Sequence, residues 1–205
     1  MNSVKLKGFL KNIQPSHTIN NIVYDKADLI VPRSDGKEDV INLRFKRFSN
    51  THQEDQEVEL IGNVRSYSTR VSENKNKVQI YVFTYFDIPE YEEEHQTLNE
   101  FEIDGRICKI DGLRTTSNGR ANIHFILANN MIVSNGNQKL NAYLPCIAWG
   151  ETANRLSSLK VNDRVCIYGE LHSREYKKTL ENGEVEIRVA HELLVTDFKV
   201  VEDDI

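Results

Sequence analysis

Between residues 143 and 178 the chain sets three aromatic side chains, Tyr143, Trp149 and Tyr176, near the cations Arg174, Lys177 and Lys178. Flat rings beside Lys and Arg on an open surface are what an unpaired polynucleotide needs. Bases stack on rings whatever their identity, at about 1–3 kcal/mol each, and cations neutralise phosphates. Tyr143 and Trp149 fall on one face of a strand whose other face carries Leu144, Cys146 and Ala148. Ordinary packing is open to each ring as well: Trp149 can lie under a helix, and Tyr143 can fill a subunit contact.

Other chemistries find no support. His17, His52, His95, His124, His172 and His191 have no metal-ligand spacing, and no GxSxG, HExxH or phosphate-loop pattern occurs. The carboxylates fall mostly in turns, at outward strand positions or in one acidic stretch. Cys108, Cys146 and Cys166 are odd in number, far apart and set in apolar runs, without CxxC or CxxH spacing. They are expected to be buried reduced thiols acting as small hydrophobes, not zinc ligands. The expectation is a binding protein with no catalytic residues, metal or cofactor, and not an enzyme.

The elements that position the rings are strands. Phe101–Ile110, Ala121–Val133, Leu140–Trp149, Arg164–Arg174 and Val185–Val195 are β-rich runs. Asn118-Gly119, Ser134-Asn135-Gly136-Asn137 and Glu181-Asn182-Gly183 are turn signals between them. From Gly150 to Val161 the period changes: Ala153, Leu156 and Leu159 recur every three residues, as on one face of a short helix. Val165, Ile167, Gly169 and Leu171 have the inward parity of the fourth strand. Five strands with a helix between the third and fourth is the OB pattern, a small barrel that binds oligonucleotides or oligosaccharides on one face.

A looser copy of this pattern comes first. EVELIGNVRS (57–66) matches RVCIYGELHS (164–173). Val58, Gly62, Ser66, Val78, Ile80 and Val82 recur as Val165, Gly169, Ser173, Val185, Ile187 and Val189, all at an offset of 107. VKLKGFLKNI (4–13) matches FEIDGRICKI (101–110) at an offset of 97. Repetition on this scale argues for two units. The predicted fold is therefore all-β, two tandem five-stranded OB-fold barrels, the second with a short helix between strands 3 and 4. The first, degenerate domain spans 1–89 and lacks an amphipathic helix at 47–56. An acidic linker fills 90–99, with a short exposed helix as the alternative there. The second domain spans 100–201, and 202–205 is an acidic tail. In the first unit Arg44, Phe45, Tyr67, Tyr81, Phe83 and Tyr85 can stack bases or fill an interface, and the reading leans towards contact.

Composition bounds the rest. A chain of 205 residues, 39% hydrophobic and 28% charged, can bury a core and remain soluble. No apolar run approaches the ~20 residues needed to cross a bilayer. The opening Met-Asn-Ser-Val-Lys leads straight into a strand pattern, so no secretory signal is read and the cytoplasm is expected. A net charge of −5 opposes binding of a polyanion on the simplest rule. Seven of the 31 acids, however, are Glu90, Glu92, Glu93, Glu94, Glu202, Asp203 and Asp204. The remaining acids nearly match the 26 Lys and Arg, so local patches decide.

The stretch AYLPCIAWGETANRLSSLKVNDRVCIYGELHSREY (142–176) resembles the bacterial single-stranded DNA-binding protein family. The pattern is an aromatic residue, an apolar strand ending in aromatic-Gly, a short helix, an Asn-Asp-x-Val turn, then Gly-x-Leu-x-Ser-Arg-x-Tyr. FILAN (125–129) is similar to that family's second strand, and the resemblance covers 101–198. It extends to primosomal replication protein N, a relative of similar fold. It implies sequence-independent single-stranded DNA binding in replication, recombination or repair. Tyr143, Trp149 and Tyr176 would be the stacking platforms and Arg174 the motif arginine, while Arg114, Arg120 and Lys139 lie in loops where the family places phosphate contacts. Val133, near a fourth platform position, is not aromatic. Relatives assemble four OB barrels, which implies a homodimer, at the nucleoid of a bacterial cytoplasm. The family's acidic tail, which recruits replication and repair proteins, closes with Pro-Phe, and the terminal Val-Glu-Asp-Asp-Ile lacks it. Two other readings remain: a replication-restart, phage or mobile-element accessory factor, and a protein-interaction scaffold that binds no nucleic acid, which the negative charge favours.

Overall fold

The computed structural model describes residues 1–47, 52–72, 75–84, 98–133, 138–180 and 183–202. The strands are β1 (Asn2–Ile19), β2 (Ile22–Pro32), β3 (Glu38–Lys46), β4 (Glu57–Ser72), β5 (Lys75–Thr84), β6 (Asn99–Ile110), β7 (Arg114–Thr115), β8 (Ala121–Val133), β9 (Gln138–Trp149), β10 (Arg164–Thr179) and β11 (Val185–Val200). A helix, α1 (Gly150–Leu156), lies between β9 and β10. The described residues are thus all-β but for this one short helix, placed between the third and fourth long strands of the second half. Alternation builds the strands: Val4, Leu6 and Leu10 of β1, Leu144, Cys146 and Ala148 of β9, and Val165, Ile167 and Leu171 of β10 are all buried in one apolar cluster. The residues between them face outward.

The strand pairings close twice. β1 pairs with β2 and β4, β2 with β3, β3 with β5 in parallel, and β5 with β4. β6 pairs with β8 and β10, β8 with β9, β9 with β11 in parallel, and β11 with β10. Each circuit returns to its first strand. Antiparallel pairing of β1 with β6 joins the circuits, with Val4 opposite Phe101.

The two circuits repeat the same polar details. Asn2 Nδ2 donates to Val64 O and Val64 N–H donates to Asn2 Oδ1, each at 2.8 Å. Asn99 makes the same pair of bonds with Leu171, at 2.8 and 2.9 Å. Across the join, Tyr143 N–H donates to Ser66 Oγ and Val40 N–H donates to Ser173 Oγ, both at 2.8 Å. Exchanging counterparts maps one bond onto the other, so an approximate twofold relates the circuits.

The common offset of 107 does not extend to the fifth strand. Gly62 lies opposite Thr84, and Gly169 opposite Val195. The parallel pairs Leu43–Val82 and Cys146–Leu193 agree, which puts fifth-strand counterparts 111 apart. The second hairpin is the longer, since its turn joins Thr179 to Val185 where Ser72 pairs with Lys75 in the first. Val78, Ile80 and Val82 therefore correspond to Val189, His191 and Leu193, not to Val185, Ile187 and Val189. Gly62 and Gly169 are true counterparts. A Cβ at Gly62 would stand 2.7 Å from Phe83 O, and one at Gly169 closer still to Leu194 O.

Two local expectations change. The helix ends at Leu156, not Val161. Leu159 still packs on the core, from a turn in which its N–H donates to Leu156 O at 3.0 Å. Cys146 and Cys166 are buried, but Cys108 is exposed. It is the extra residue where the β6–β8 register shifts between Ile107 and Lys109, and a bulge re-aims its side chain. All three are free thiols. Residues 90–97 of the expected linker, Asp203–Ile205 of the tail, Tyr85 and the side chain of Val133 lie outside the described residues. Residues 52–56, the described end of the loop after β3, contain no helix. Among the described residues no helix is long and apolar enough to cross a membrane, and no His, Cys, Asp and Glu cluster suits a metal ion.

Candidate nucleic-acid interface

The turn from β9 into α1 fixes the first ring. Trp149 ends β9 with an extended backbone (φ −128°, ψ 156°) and is the N-cap of α1. Gly150 follows at φ 58°, a left-handed conformation that a glycine adopts without penalty. The chain turns sharply there, and the indole is left half-buried at the surface. Arg120, just before β8, lies over it with Cζ 5.0 Å from the ring centroid. A cleft of about 500 Å³ opens beside them, lined by Arg120, Trp149, Ile147, His172, Glu192 and Thr196 among others. Arg114 of β7 stands in the same cross-strand row, opposite Asn122, which is opposite Trp149. It also pairs with Asp111 at 3.4 Å.

Tyr143 shares the outward face of β9 with Trp149, about 20 Å away along an extended strand. It is 48% exposed, so its ring is available to a ligand. The third group stands on the β10–β11 hairpin beyond the core. Arg174, Tyr176 and Lys178 alternate onto one face of β10, and Arg188 of β11 lies opposite Tyr176. Arg174 pairs with Glu192 at 3.4 Å and Arg188 with Glu186 at 2.6 Å. The bond to Glu186 raises the Arg188 pKa further and keeps that guanidinium charged.

The structure thus gathers Trp149, Arg120 and Arg114 at one end of the second circuit, and Tyr176, Arg174 and Lys178 on its hairpin arm. It does not gather the rest. Lys177 points to the opposite face of β10, beside Ile187, and Lys139 lies at the far end of β9, opposite Ile132. Arg188 and Glu192 escaped the sequence reading. Their places depend on the hairpin register, which the loop length sets and the strand pattern does not reveal.

A guanidinium over an indole gains about 0.5–2 kcal/mol, comparable to one stacked base. Arg120 covers the Trp149 face without an ion pair to any described residue. An incoming base can therefore replace it on the ring while the guanidinium turns to a phosphate.

The single-strand binding protein family matches residues 98–200 by its sequence profile. No curated protein matches the chain by sequence. Among solved structures, the wild-type single-stranded DNA binding protein from Thermus aquaticus is similar with 18% identity and a TM-score of 0.72, over 100% of this chain and 94% of that one. A deletion mutant of the same Thermus aquaticus protein gives 19% identity and a TM-score of 0.73, over 100% and 96%. At this level of identity the likeness establishes the fold.

Proposed function

The chain belongs to the single-strand binding protein family, and on that premise we propose that single-stranded DNA lies across the outward face of its second circuit, whatever the base sequence. The family consists of binding proteins, so the chain is not an enzyme. Trp149, Tyr143 and Tyr176 serve as stacking platforms. Arg120, Arg114, Arg174, Lys178, Lys177 and Lys139 supply charge to the phosphates, the last two from the margins. The observation that carries this reading is the Arg120–Trp149 stack at the mouth of a cleft, where ring and cation are already assembled. Three platforms at about 1–3 kcal/mol each give useful affinity after ordering costs, and electrostatics add a salt-dependent share.

Each circuit is read as an OB-type barrel. The first occupies 1–89, the second 100–201, and an acidic linker at 90–99 joins them. The strand order, the position of α1 and the repeated asparagine and serine bonds support this division. With two barrels per chain, a homodimer presents four, acting in replication, recombination or repair at the bacterial nucleoid.

Trp149 is the only tryptophan, so its fluorescence reports on one site. Titration with oligo(dT) is expected to quench it, with affinity falling as salt rises. Unchanged fluorescence together with no measurable binding at low salt would sink the proposal and favour a scaffold that contacts only protein.

A further inference from the structure

The β10–β11 arm carries Arg174, Tyr176 and Lys178 beyond the core. Ser173 and His191 lie opposite each other at its base. Past them, among the described residues, the two strands pair only with one another. The face of the arm turned away from Tyr176 is not packed either, since Val185 and Ile187 are exposed. A two-stranded hairpin by itself is marginally stable at best in water. The direction of the arm, and with it the place of Tyr176, is therefore set where the arm is anchored.

Both base residues are held by β3 of the first circuit. The Ser173 N–H donates to Asp39 Oδ1 at 2.6 Å, and its hydroxyl donates to the same oxygen at 3.3 Å. That hydroxyl also accepts from the Val40 N–H at 2.8 Å. On the other strand of the arm, His191 Nε2 donates to Val40 O at 2.8 Å. Two adjacent residues of β3 thus grip both strands at the last pair before they leave the core. Along β10 the grip continues a series. β6 pairs with β10 as far as Gly169, Asn99 Oδ1 accepts from the Leu171 N–H at 2.9 Å, and Asp39 takes the Ser173 N–H. Asp39 is fully buried, with Arg33 Nη1 at 3.4 Å. A buried carboxylate is costly unless paired and hydrogen-bonded. The fold does not require one here: counted through the parallel pairs, the counterpart of Asp39 is Ala142.

We propose that Asp39 is a positioning residue for single-strand binding. From the first circuit it clamps the base of the second circuit's arm and so fixes where Tyr176, Arg174 and Lys178 meet the strand. Asp39 itself touches no nucleotide. The inference rests on the second-circuit site and deepens it. An arm already held in one direction binds without first being ordered, and ordering on binding lowers affinity. Releasing the clamp therefore weakens binding through the contacts that the arm makes, and through no others. The first circuit in this way contributes to the second circuit's site across the seam between them.

A double-mutant cycle on the full chain tests it. The probe is an oligo(dT) of about 30 nucleotides, long enough to span more than one OB fold. Asp39→Ala is expected to weaken its binding about tenfold. In a Tyr176→Ala background the same substitution should weaken it about threefold or less, because less arm contact remains to be placed. Asp39→Asn, whose amide oxygen still accepts from Ser173, should recover most of the loss. If Asp39→Ala is unfolded at the assay temperature, Ser173→Ala removes the hydroxyl bonds alone. It then carries the same cycle, with a loss of about threefold that shrinks in the Tyr176→Ala background. Equal losses in the two backgrounds would mean that Asp39 acts through general stability, and the proposal falls. It falls equally if neither background loses affinity, or if asparagine does no better than alanine. In those cases the second-circuit site stands. Wild-type affinity unmoved by Tyr176→Ala removes the arm from the site and this inference with it. Wild-type protein that binds no oligo(dT) removes the whole site.

Discussion

The outward faces of the two circuits share a backbone and differ in chemistry. Counted through the strand pairings, Ile147, Glu192 and Arg174 of the second circuit stand where the first has Arg44, Tyr81 and Tyr67. In the second circuit the rings sit at the strand ends and on the hairpin arm, beside a cleft that contains Glu192. In the first, Tyr67 and Tyr81 lie 5.9 Å apart and share one cation, Arg44. The join differs in the same manner. On one side Ser66 meets Tyr143, with Ala142 and Ile80 nearby in register. On the other, Ser173 N–H donates to the buried Asp39 at 2.6 Å and His191 bonds Val40 O at 2.8 Å. One fold thus carries two surfaces and two seams, and function has to be read from residues, not from topology.

The comparison breaks most visibly at the paired glycines. Gly169→Ala forces a methyl group into Leu194 O and is expected to cost about 3 kcal/mol or more. Gly62→Ala, with 2.7 Å to Phe83 O, should cost less. Urea denaturation of the two variants ranks them, and an equal loss would mean that both backbones relax alike.

Next come the platforms. Trp149→Ala is expected to weaken oligo(dT) binding tenfold or more, from the loss of about 1–3 kcal/mol of stacking. Lys46→Ala at the counterpart position should change it less than threefold, as measured by fluorescence anisotropy of labelled DNA.

The seam predicts a pH effect confined to one side. Burial pushes the His191 imidazole below its ordinary range, against the opposing hydrogen bond to Val40 O. Asn42, Asp28, Asp39 and Lys77 are the other polar groups around it. The unfolded chain takes up this proton near pH 6.5, before the folded protein does. The contribution of His191 is therefore complete above that pH and is lost as pH falls below it. His191→Ile, copying Ile80, should cost about 1 kcal/mol at neutral pH through the lost hydrogen bond and should remove that part of the acid sensitivity. Thermal midpoints between pH 7.5 and 5.5 decide, and identical pH profiles would discard the assignment.

The smallest effect separates free from engaged cations. Lys178→Ala should reduce the salt slope by about 0.7. Arg174→Ala should reduce it less, because Glu192 already neutralises that guanidinium. Salt titrations of the two variants that coincide would show that the ion pair opens on binding.

Much of this was legible in the sequence. Parity placed Leu144, Cys146 and Ala148 inside and Tyr143 outside, because strand alternation is local. The glycine and serine counterparts 62/169 and 66/173 were legible for the same reason. What failed depended on counting across turns. The fifth-strand offset slipped because a hairpin loop and a bulge add residues without altering the apolar alternation. Cys108 was placed inside because it lies in an apolar run, although it follows the inward Ile107 directly and so has the outward parity. The helix was drawn too long because Leu159 keeps the spacing while leaving the helix. The ring-covering arginines Arg44, Arg65 and Arg120 were invisible as a class, since their partners lie on other strands.

The approximate twofold at the β1–β6 join has a consequence for direction. A nucleic-acid strand runs from 5′ to 3′, and a rotation that exchanges the circuits reverses that sense. A strand crossing both circuits in one pass therefore meets the second in the opposite orientation to the first, unless it loops back on itself. Identical contacts on the two halves would suit only a doubled-back path. The two halves present unlike groups, Trp149 and Arg120 on one and Tyr67, Tyr81 and Arg44 on the other, so the molecule has two distinguishable ends.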